Sequence, residues 1–559
     1  MRQYKSYITI ILMACTLLST SCSDEYMESM NTDPSKAATI DPNAQLTTAQ
    51  LQIYGDIEAM ETFRSYIYAF NQQLMGCWNT TNYGGRHTID HNEMGHIWQK
   101  YYLNSIKNVT DAQLRTTDDA EKVNINAALR IYRVYLMSLM TDIYGDVPYS
   151  EAGRGFIESK FTPKYDTQED IYNDFFVELD AAVTALDATK DRITGDVIYK
   201  GDISKWKKFA NSLHLRYAMR ISDANPQKAQ EEFEKALAAD GGIFTSGADD
   251  ALIPYMDIAF SFGGESYTDY RRNALSQLFF GNDPLNNPSF ICSTLYNQLY
   301  STGDPRFSAI IRFYFDKTMN STDTEGRIDI SEEVLAKGMA HPRDPGAFFY
   351  EPWPASYESD LIKELQKNDP SIEKTSMDTE TEPKLANNFL TGDNPGVVIT
   401  SAEVNFLLAE ASLKGWNVPG TVEDYYRKGV RAAIDFLTDN YECDAVSDIE
   451  FNNYMNNNNI GYTSEQKKAS INTQAWILHF TNPLECWANL RRSNYPRLKS
   501  PADYGFSQVL TGGPAIPVRL CYPVIESSYN KKNYEEALSR MGGNNSWNTP
   551  VWWDKNNAQ

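Results

Sequence analysis

Residues 401–416, SAEVNFLLAEASLKGW, and residues 422–437, VEDYYRKGVRAAIDFL, decide how this chain folds. Each carries apolar residues at spacings of three and four, which places them on one face of a helix. Between them runs Gly-Trp-Asn-Val-Pro-Gly, a turn that ends the first helix and starts the second. Two helices joined by so short a turn lie antiparallel. Ala409, Ala411, Gly429 and Ala433 are small and allow the two axes to approach closely.

The pair spans 37 residues. That is close to the ~34 residues of a tetratricopeptide unit, a repeat that buries its core by stacking helix pairs. The same periodicity recurs upstream. Ile125, Leu129, Tyr132, Leu136, Leu139 and Ile143 mark a helix within 121–145, ended by Gly145 and Pro148. A second opens at Asp166 with Glu169 three residues later, a capping-box-like start. A third follows Ser204, with Trp206, Phe209, Leu213, Tyr217 and Ile221 on its buried side. Further helical stretches occupy 59–75 and 463–492. Residues 240–400 lack long periodic runs and are broken by Pro, Gly, Asn and Asp, as in FFGNDPLNNPS and AHPRDPGAFFYEPWP. Interspersed aromatics argue against disorder there. The reading is a mainly α chain: a degenerate tetratricopeptide-like scaffold in two parts, 22–240 and 401–559, carrying an ordered, loop-rich insertion, 241–400.

The N-terminus has its own grammar. Arg2 and Lys5 precede a run of twelve mostly apolar residues, Tyr7 to Leu18, then Ser19, Thr20, Ser21 and Cys22. A membrane span needs about 20 apolar residues, so this order predicts a cleaved secretory signal, residues 1–21. A cysteine where the small residues stop is the site at which a lipoprotein peptidase leaves a new N-terminus, so Cys22 is the expected lipidation site. Several acyl chains there would hold the protein stably to a membrane. Without residues 1–21 the chain carries 49 Lys and Arg against 74 Asp and Glu, a formal net of −25. So acidic a chain repels phosphate backbones, which excludes nucleic acid as a partner. Of the seven cysteines, Cys77, Cys292, Cys443, Cys486 and Cys521 remain after Cys15 and Cys22. An odd number with no paired spacing predicts buried free thiols rather than a disulfide framework.

Catalytic signatures are missing. No P-loop, GxGxxG or GxSxG occurs. HNEMGH at 91–96 spaces its histidines five apart rather than four, and its glutamate is displaced by one. His87 and His91, with Asp90 nearby, have zinc-like spacing only if they share a helix, and YGGRHTID reads as loop. The expectation is a non-enzyme with no metal and no cofactor. Aromatic residues make up 13% of the chain, enough to supply exposed stacking platforms as well as core.

Six strings in consistent order resemble the SusD/RagB family of surface glycan-binding lipoproteins of Bacteroidetes. They are TDIYGDVPYSEA (141–152), WKKFANSLHLRYAMRIS (206–222), VNFLLAEASLKGW (404–416), ECWANLRRSNYP (485–496), IPVRLCYPVIESSYNKKNYEEAL (516–538) and NTPVWWD (548–554). Ser23-Asp24-Glu25 likewise resembles the surface-export signal of such lipoproteins. The resemblance implies an α-helical fold with four degenerate tetratricopeptide-like pairs, an insertion, 241–400, that carries the ligand face, and an outer-membrane location facing the cell exterior. It also implies a partner, a SusC-type TonB-dependent transporter, to which a captured oligosaccharide is delivered. A peptide receptor of the same build is the nearest alternative, and a surface hydrolase the alternative from another class. Arg491 and Arg492 are expected to pair within the scaffold. For the ligand site, Trp78 follows the 59–75 helix and begins a Gly- and Asn-rich stretch, MGCWNTTNYGGRH. In the family the loop after this helix often supplies an aromatic to the glycan. The expected ligand-binding residues are Trp78 and Tyr83, with Phe279, Phe280, Tyr350 and Trp353 from the insertion.

Overall fold

The computed structural model describes residues 40–557 apart from 77, 259–268, 281–288, 318–325, 349–354, 378, 458–465 and 507–513. The signal segment and Cys22 lie outside the described residues. The helices used below are α1 (Pro42–Gly55), α2 (His91–Lys100), α3 (Lys107–Thr116), α4 (Val123–Tyr144), α5 (Gln168–Ala185), α6 (Ile203–Arg220), α7 (Pro226–Leu237), α8 (Ser401–Leu413), α9 (Val422–Asn440), α10 (Lys467–Leu478) and α11 (Pro483–Ser493). Consecutive helices pack on one another, α3 on α4, α4 on α5, α5 on α6, α6 on α7, α8 on α9 and α10 on α11. Together they make the helical scaffold of one body running from Pro42 to Gln559.

The α8–α9 pair forms as its sequence dictates. Thr400 and Thr421 cap the two helices, their side chains accepting from the backbone N–H of Glu403 and Asp424. Gly415, at φ +79°, closes α8 in a conformation that suits glycine. Gly429 lies against the Phe406 ring, which a Cβ would approach to 2.6 Å. The 121–145 helix differs from expectation in one respect. It is buried on nearly every side rather than along one stripe, because α4 is packed between α3 and α5. The start expected at Asp166 belongs to Thr167, whose hydroxyl accepts from Asp170 N–H. Asp166 is taken up instead by the two-residue ladder Val147–Pro148 with Tyr165–Asp166, and its carboxylate accepts from Tyr149 and Ser150 N–H.

Buried ion pairs join the N-terminal and C-terminal helices. Arg216 on α6 grips Glu403 on α8 through Nε and Nη2 at 2.6 and 2.7 Å, and Nη2 also donates to the Val398 carbonyl at 2.7 Å. Arg220 Nη2 reaches both oxygens of Glu485 on α11 at 2.6 and 2.5 Å. Arg492 holds Glu410 through two bonds of 2.8 and 2.7 Å, while Arg491 donates to the Asp142 and Val518 carbonyls, both at 2.8 Å. Both arginines therefore serve the scaffold, as read from the sequence. The Arg491 guanidinium lies over the rings of Trp487 and Trp553, 4.0 and 4.9 Å from their centroids. Trp553, fully buried, donates its Nε1–H to Asp142 at 2.8 Å and brings the C-terminal tail back onto α4.

These carboxylates give the stability of the fold opposite pH slopes. Burial raises the Glu410 carboxyl, but the Arg492 charge and its hydrogen bonds outweigh burial and hold it down to about 2. A depressed carboxylate stabilises above its unfolded value of 4.5 and loses that contribution as pH falls toward 2. Glu403 is lowered in the same way by Arg216. Asp250 and Asp554 are raised by burial to about 7 and about 6. Their contribution is present on the acid side and lost as pH rises through those values. The expected result is a melting temperature that peaks near pH 4, between the unfolded values of 3.8 and 4.5, and declines in both directions. A melting temperature flat from pH 2 to pH 8 would refute it.

Seven of the ten short strands among the described residues lie in 241–400. Gly396–Ile399 pairs antiparallel with Ala251–Ile253. A four-stranded sheet matters more. Leu74–Met75, immediately upstream of the Trp78 stretch, pairs with Phe290–Ile291, which pairs with Lys384–Leu385, which pairs with Ile311–Arg312. Cys292, Cys443, Cys486 and Cys521 are buried and free. Among the described residues no helix is long and apolar enough to cross a membrane.

Candidate functional site

The strand Leu74–Met75 stitches the N-terminal scaffold into the insertion, and the candidate site begins where that strand ends. The stretch read as a Gly- and Asn-rich loop is helical instead: Trp78–Thr80 continues into a π-helical turn, Thr81–Gly85. The glycines explain the difference. A Cβ on Gly84 would come within 2.7 Å of Ala69 Cβ and 2.8 Å of the Ser65 and Tyr66 carbonyl oxygens. A Cβ on Gly85 would meet Met75 Cε at 2.7 Å and the Gly346 nitrogen at 3.3 Å. Here the glycine pair serves close packing rather than looseness, pressing one helical turn onto the Phe63–Ile67 turn and onto the insertion.

Three distant segments meet at this point. Arg86 donates from Nε to the Gly346 carbonyl at 2.8 Å, and its guanidinium lies 4.1 Å from the Phe348 ring centroid and 5.5 Å from that of Phe506. Burial lowers the Arg86 pKa from its ordinary value. Beneath them Arg343, fully buried, pairs with Glu382, donates to the Gly76 carbonyl at 3.1 Å and covers the Phe290 ring at 3.7 Å. Thr81 Oγ1 also donates to Gly76 O. Tyr83 is half-buried and stacks on Tyr66, with centroids 5.7 Å apart and planes at 24°. Burial, with help from the Asp90 and Glu93 carboxylates, raises its phenol, which therefore stays a neutral donor. Asn79 and Asn82 are half-buried beside it in the chain. The result is a rigid platform of aromatic faces, amides and a cation, with chemistry suited to C–H-rich and hydroxyl-rich ligands.

The expected site residues fall out differently. Trp78 opens the helical segment, and its side chain is not among those described. Tyr83 belongs to the platform. Phe279 does not: it is 5% exposed and packs edge-on against Tyr68 at 5.4 Å, a core residue of the helix Ala274–Phe280 rather than a stacking surface. Phe280 ends that helix with a side chain outside those described, and Tyr350 and Trp353 lie outside the described residues. Phe348 and Phe506 were not foreseen, since each meets Arg86 only through tertiary folding. His87 and His91 do not share a helix. His87 is buried at φ +53° against Phe70 and Trp547, whereas His91 begins α2, which Asp90 caps. Among the described residues no cluster of three or more His, Cys, Asp or Glu is placed to hold a metal.

Comparison with known proteins places this architecture. The model of the SusD-like family, described as starch-binding and associating with the outer membrane, matches residues 34–523. A solved SusD-like protein, Bacteroidetes AC2a, is 46% identical with a TM-score of 0.85, covering 92% of this chain and 100% of its own. A solved chitin-binding protein is 32% identical with a TM-score of 0.73, covering 92% and 100%. A chitin-binding SusD homolog from Flavobacterium johnsoniae, 21% identical with a TM-score of 0.67 over 92% and 98%, shares the fold. No curated protein matches the chain. Nearly its whole length is accounted for in this way, and the chain belongs to the SusD-like family.

Proposed function

We propose that the protein is a non-enzymatic lipoprotein of the outer-membrane surface that binds an oligosaccharide and hands it to a SusC-type TonB-dependent transporter. One observation carries the ligand half of this reading. The Trp78–Arg86 segment follows a strand paired with Phe290–Ile291 and is tied by Arg86 to the Gly346–Phe348 and Phe506 segments, so aromatic rings and polar groups from three parts of the chain come together. The chitin-binding relative, 32% identical over nearly the whole chain, supports a glycan as the ligand. On this reading Trp78, Tyr83, Phe280, Tyr350 and Trp353 supply the stacking surface. The test is calorimetry of the purified protein with chitin oligosaccharides, starch oligosaccharides and a peptide digest. Saturable binding of a glycan is expected. Binding of the digest alone would replace the glycan reading with a peptide one.

Anchoring rests on Cys22. A Cys22→Ala chain expressed in a lipoprotein-processing bacterium is expected to take up no labelled palmitate and to leave the membrane fraction. Undiminished labelling of the variant would overturn the lipidation site.

A further inference from the structure

Of the thirteen large apolar side chains that the described residues leave exposed, Leu103, Phe161, Ile525 and Tyr529 line one hollow, and Phe156 and Val524 lie beside it in the chain. Phe156 is 87% exposed, Phe161 77%, Tyr529 75% and Leu103 62%, with Val524 and Ile525 beside them. They come from separate parts of the chain: the turn after α2, the short helix Gly155–Glu158 and its following loop, and the segment leading into Glu526–Tyr529. At their centre is a hollow of about 300 Å³ lined by Trp98, Tyr102, Pro148, Phe161, Pro163 and Tyr529. At roughly 100–200 Å² for each large exposed apolar side chain, the six offer on the order of 800 Å², one side of a standard protein interface. A monomer's largest apolar patch is usually smaller, about 300–600 Å².

The charges around the hollow narrow the occupant. Arg154 pairs with Glu158 at 2.7 Å, Lys160 with Glu151 at 3.0 Å and Lys164 with Asp166 at 2.8 Å. These three pairs cancel and leave the Glu526 carboxylate, which lines the hollow and accepts from the Tyr165 hydroxyl at 2.6 Å, on a chain of formal net charge −25 without residues 1–21. That net charge opposes an anionic lipid surface, and a second copy would bring another −25. A concave apolar centre framed by protruding rings also fits a projecting protein loop better than a flat bilayer.

We propose that this face docks the outer-membrane protein partner, receiving an apolar loop of that partner in the hollow between Phe161 and Tyr529. The inference rests on the transporter reading above and adds the surface through which it acts.

The test uses the full lipidated chain in its own outer membrane, solubilised in mild detergent and recovered by an affinity tag. Wild type is expected to bring down a large β-barrel identified by mass. The double variant Phe156→Asp, Phe161→Asp should recover at least tenfold less, and the milder Tyr529→Ala several-fold less. Ile449→Asp, a 74% exposed apolar residue elsewhere, should not change recovery. Each variant is to show an unchanged melting curve and an oligosaccharide affinity within twofold of wild type. Equal barrel recovery by wild type and the double variant overturns the docking face while leaving the transporter reading intact. No barrel with wild type overturns both. The docking face also falls if the face proves to join two copies, seen as a dimer in light scattering that the double variant dissolves. It falls equally if a chain lacking Cys22 floats with phosphatidylglycerol vesicles and the double variant does not.

Discussion

Trp78→Ala is expected to lower the affinity for the cognate oligosaccharide at least tenfold while the melting curve stays where it was. The argument starts from the backbone. Trp78 is the first residue of the helical segment that Gly84 and Gly85 press against the Phe63–Ile67 turn, and that Arg86 fixes to Gly346. A side chain at that position is carried on a rigid support, so little ordering entropy opposes a stacking contact with a sugar ring. Tryptophan is rarely fully buried, and its flat face complements the C–H face of a pyranose. Truncating an aromatic that forms the centre of a binding face costs about 2 kcal/mol or more, roughly a 30-fold loss. Calorimetry of wild type and variant with the same oligosaccharide measures it. An affinity within twofold of wild type takes Trp78 out of the site and leaves the insertion to supply the contacts.

Arg216→Ala is the second large effect, and it falls on stability. Arg216 is buried on α6, and its guanidinium is the main neutraliser of Glu403, which also accepts a hydrogen bond from His479 at 3.1 Å. Removing the arginine leaves a carboxylate in the interior with its principal charge partner gone, and leaves the Val398 carbonyl with one donor fewer. Breaking a buried pair in this way costs about 3–5 kcal/mol. Glu403→Gln, which keeps the shape and removes the charge, should reduce that cost when combined with Arg216→Met. Urea unfolding followed by tryptophan fluorescence reads the change. A loss under about 1 kcal/mol for Arg216→Ala would show that water or a neighbouring group replaces the guanidinium without penalty.

What could be read from the sequence and what could not divide along a physical line. The α8–α9 pair was legible because its apolar spacing, its threonine caps and its small residues all point the same way. The roles of Arg491 and Arg492 were legible because a double arginine at a helix end has few other uses than pairing. The Trp78 stretch was misread at the local level. Its glycines signal a loop by propensity, but they are spent on contacts with Ala69, Ser65, Tyr66 and Gly346, none of which a local window contains. Phe279 was misjudged for a related reason. A phenylalanine near Gly and Asn looks exposed, yet Tyr68, more than two hundred positions away, covers it. The meeting of Arg86 with Phe348 and Phe506 has no sequence signal, since it depends on a sheet whose strands are two residues long and far apart in the chain.

The tail residue Trp553 also sets a schedule. Its indole closes over Asp142 and Arg491, and the bond to Asp142 spans 411 residues. A ribosome adding about 5–20 residues per second needs roughly 20–80 s to make that stretch. Throughout that interval α4 has been made but lacks the ring that covers Asp142, so the nascent chain stays short of its final core. A chain cut short before Trp553 would leave Asp142 without that indole donor and Arg491 without one of its two ring partners.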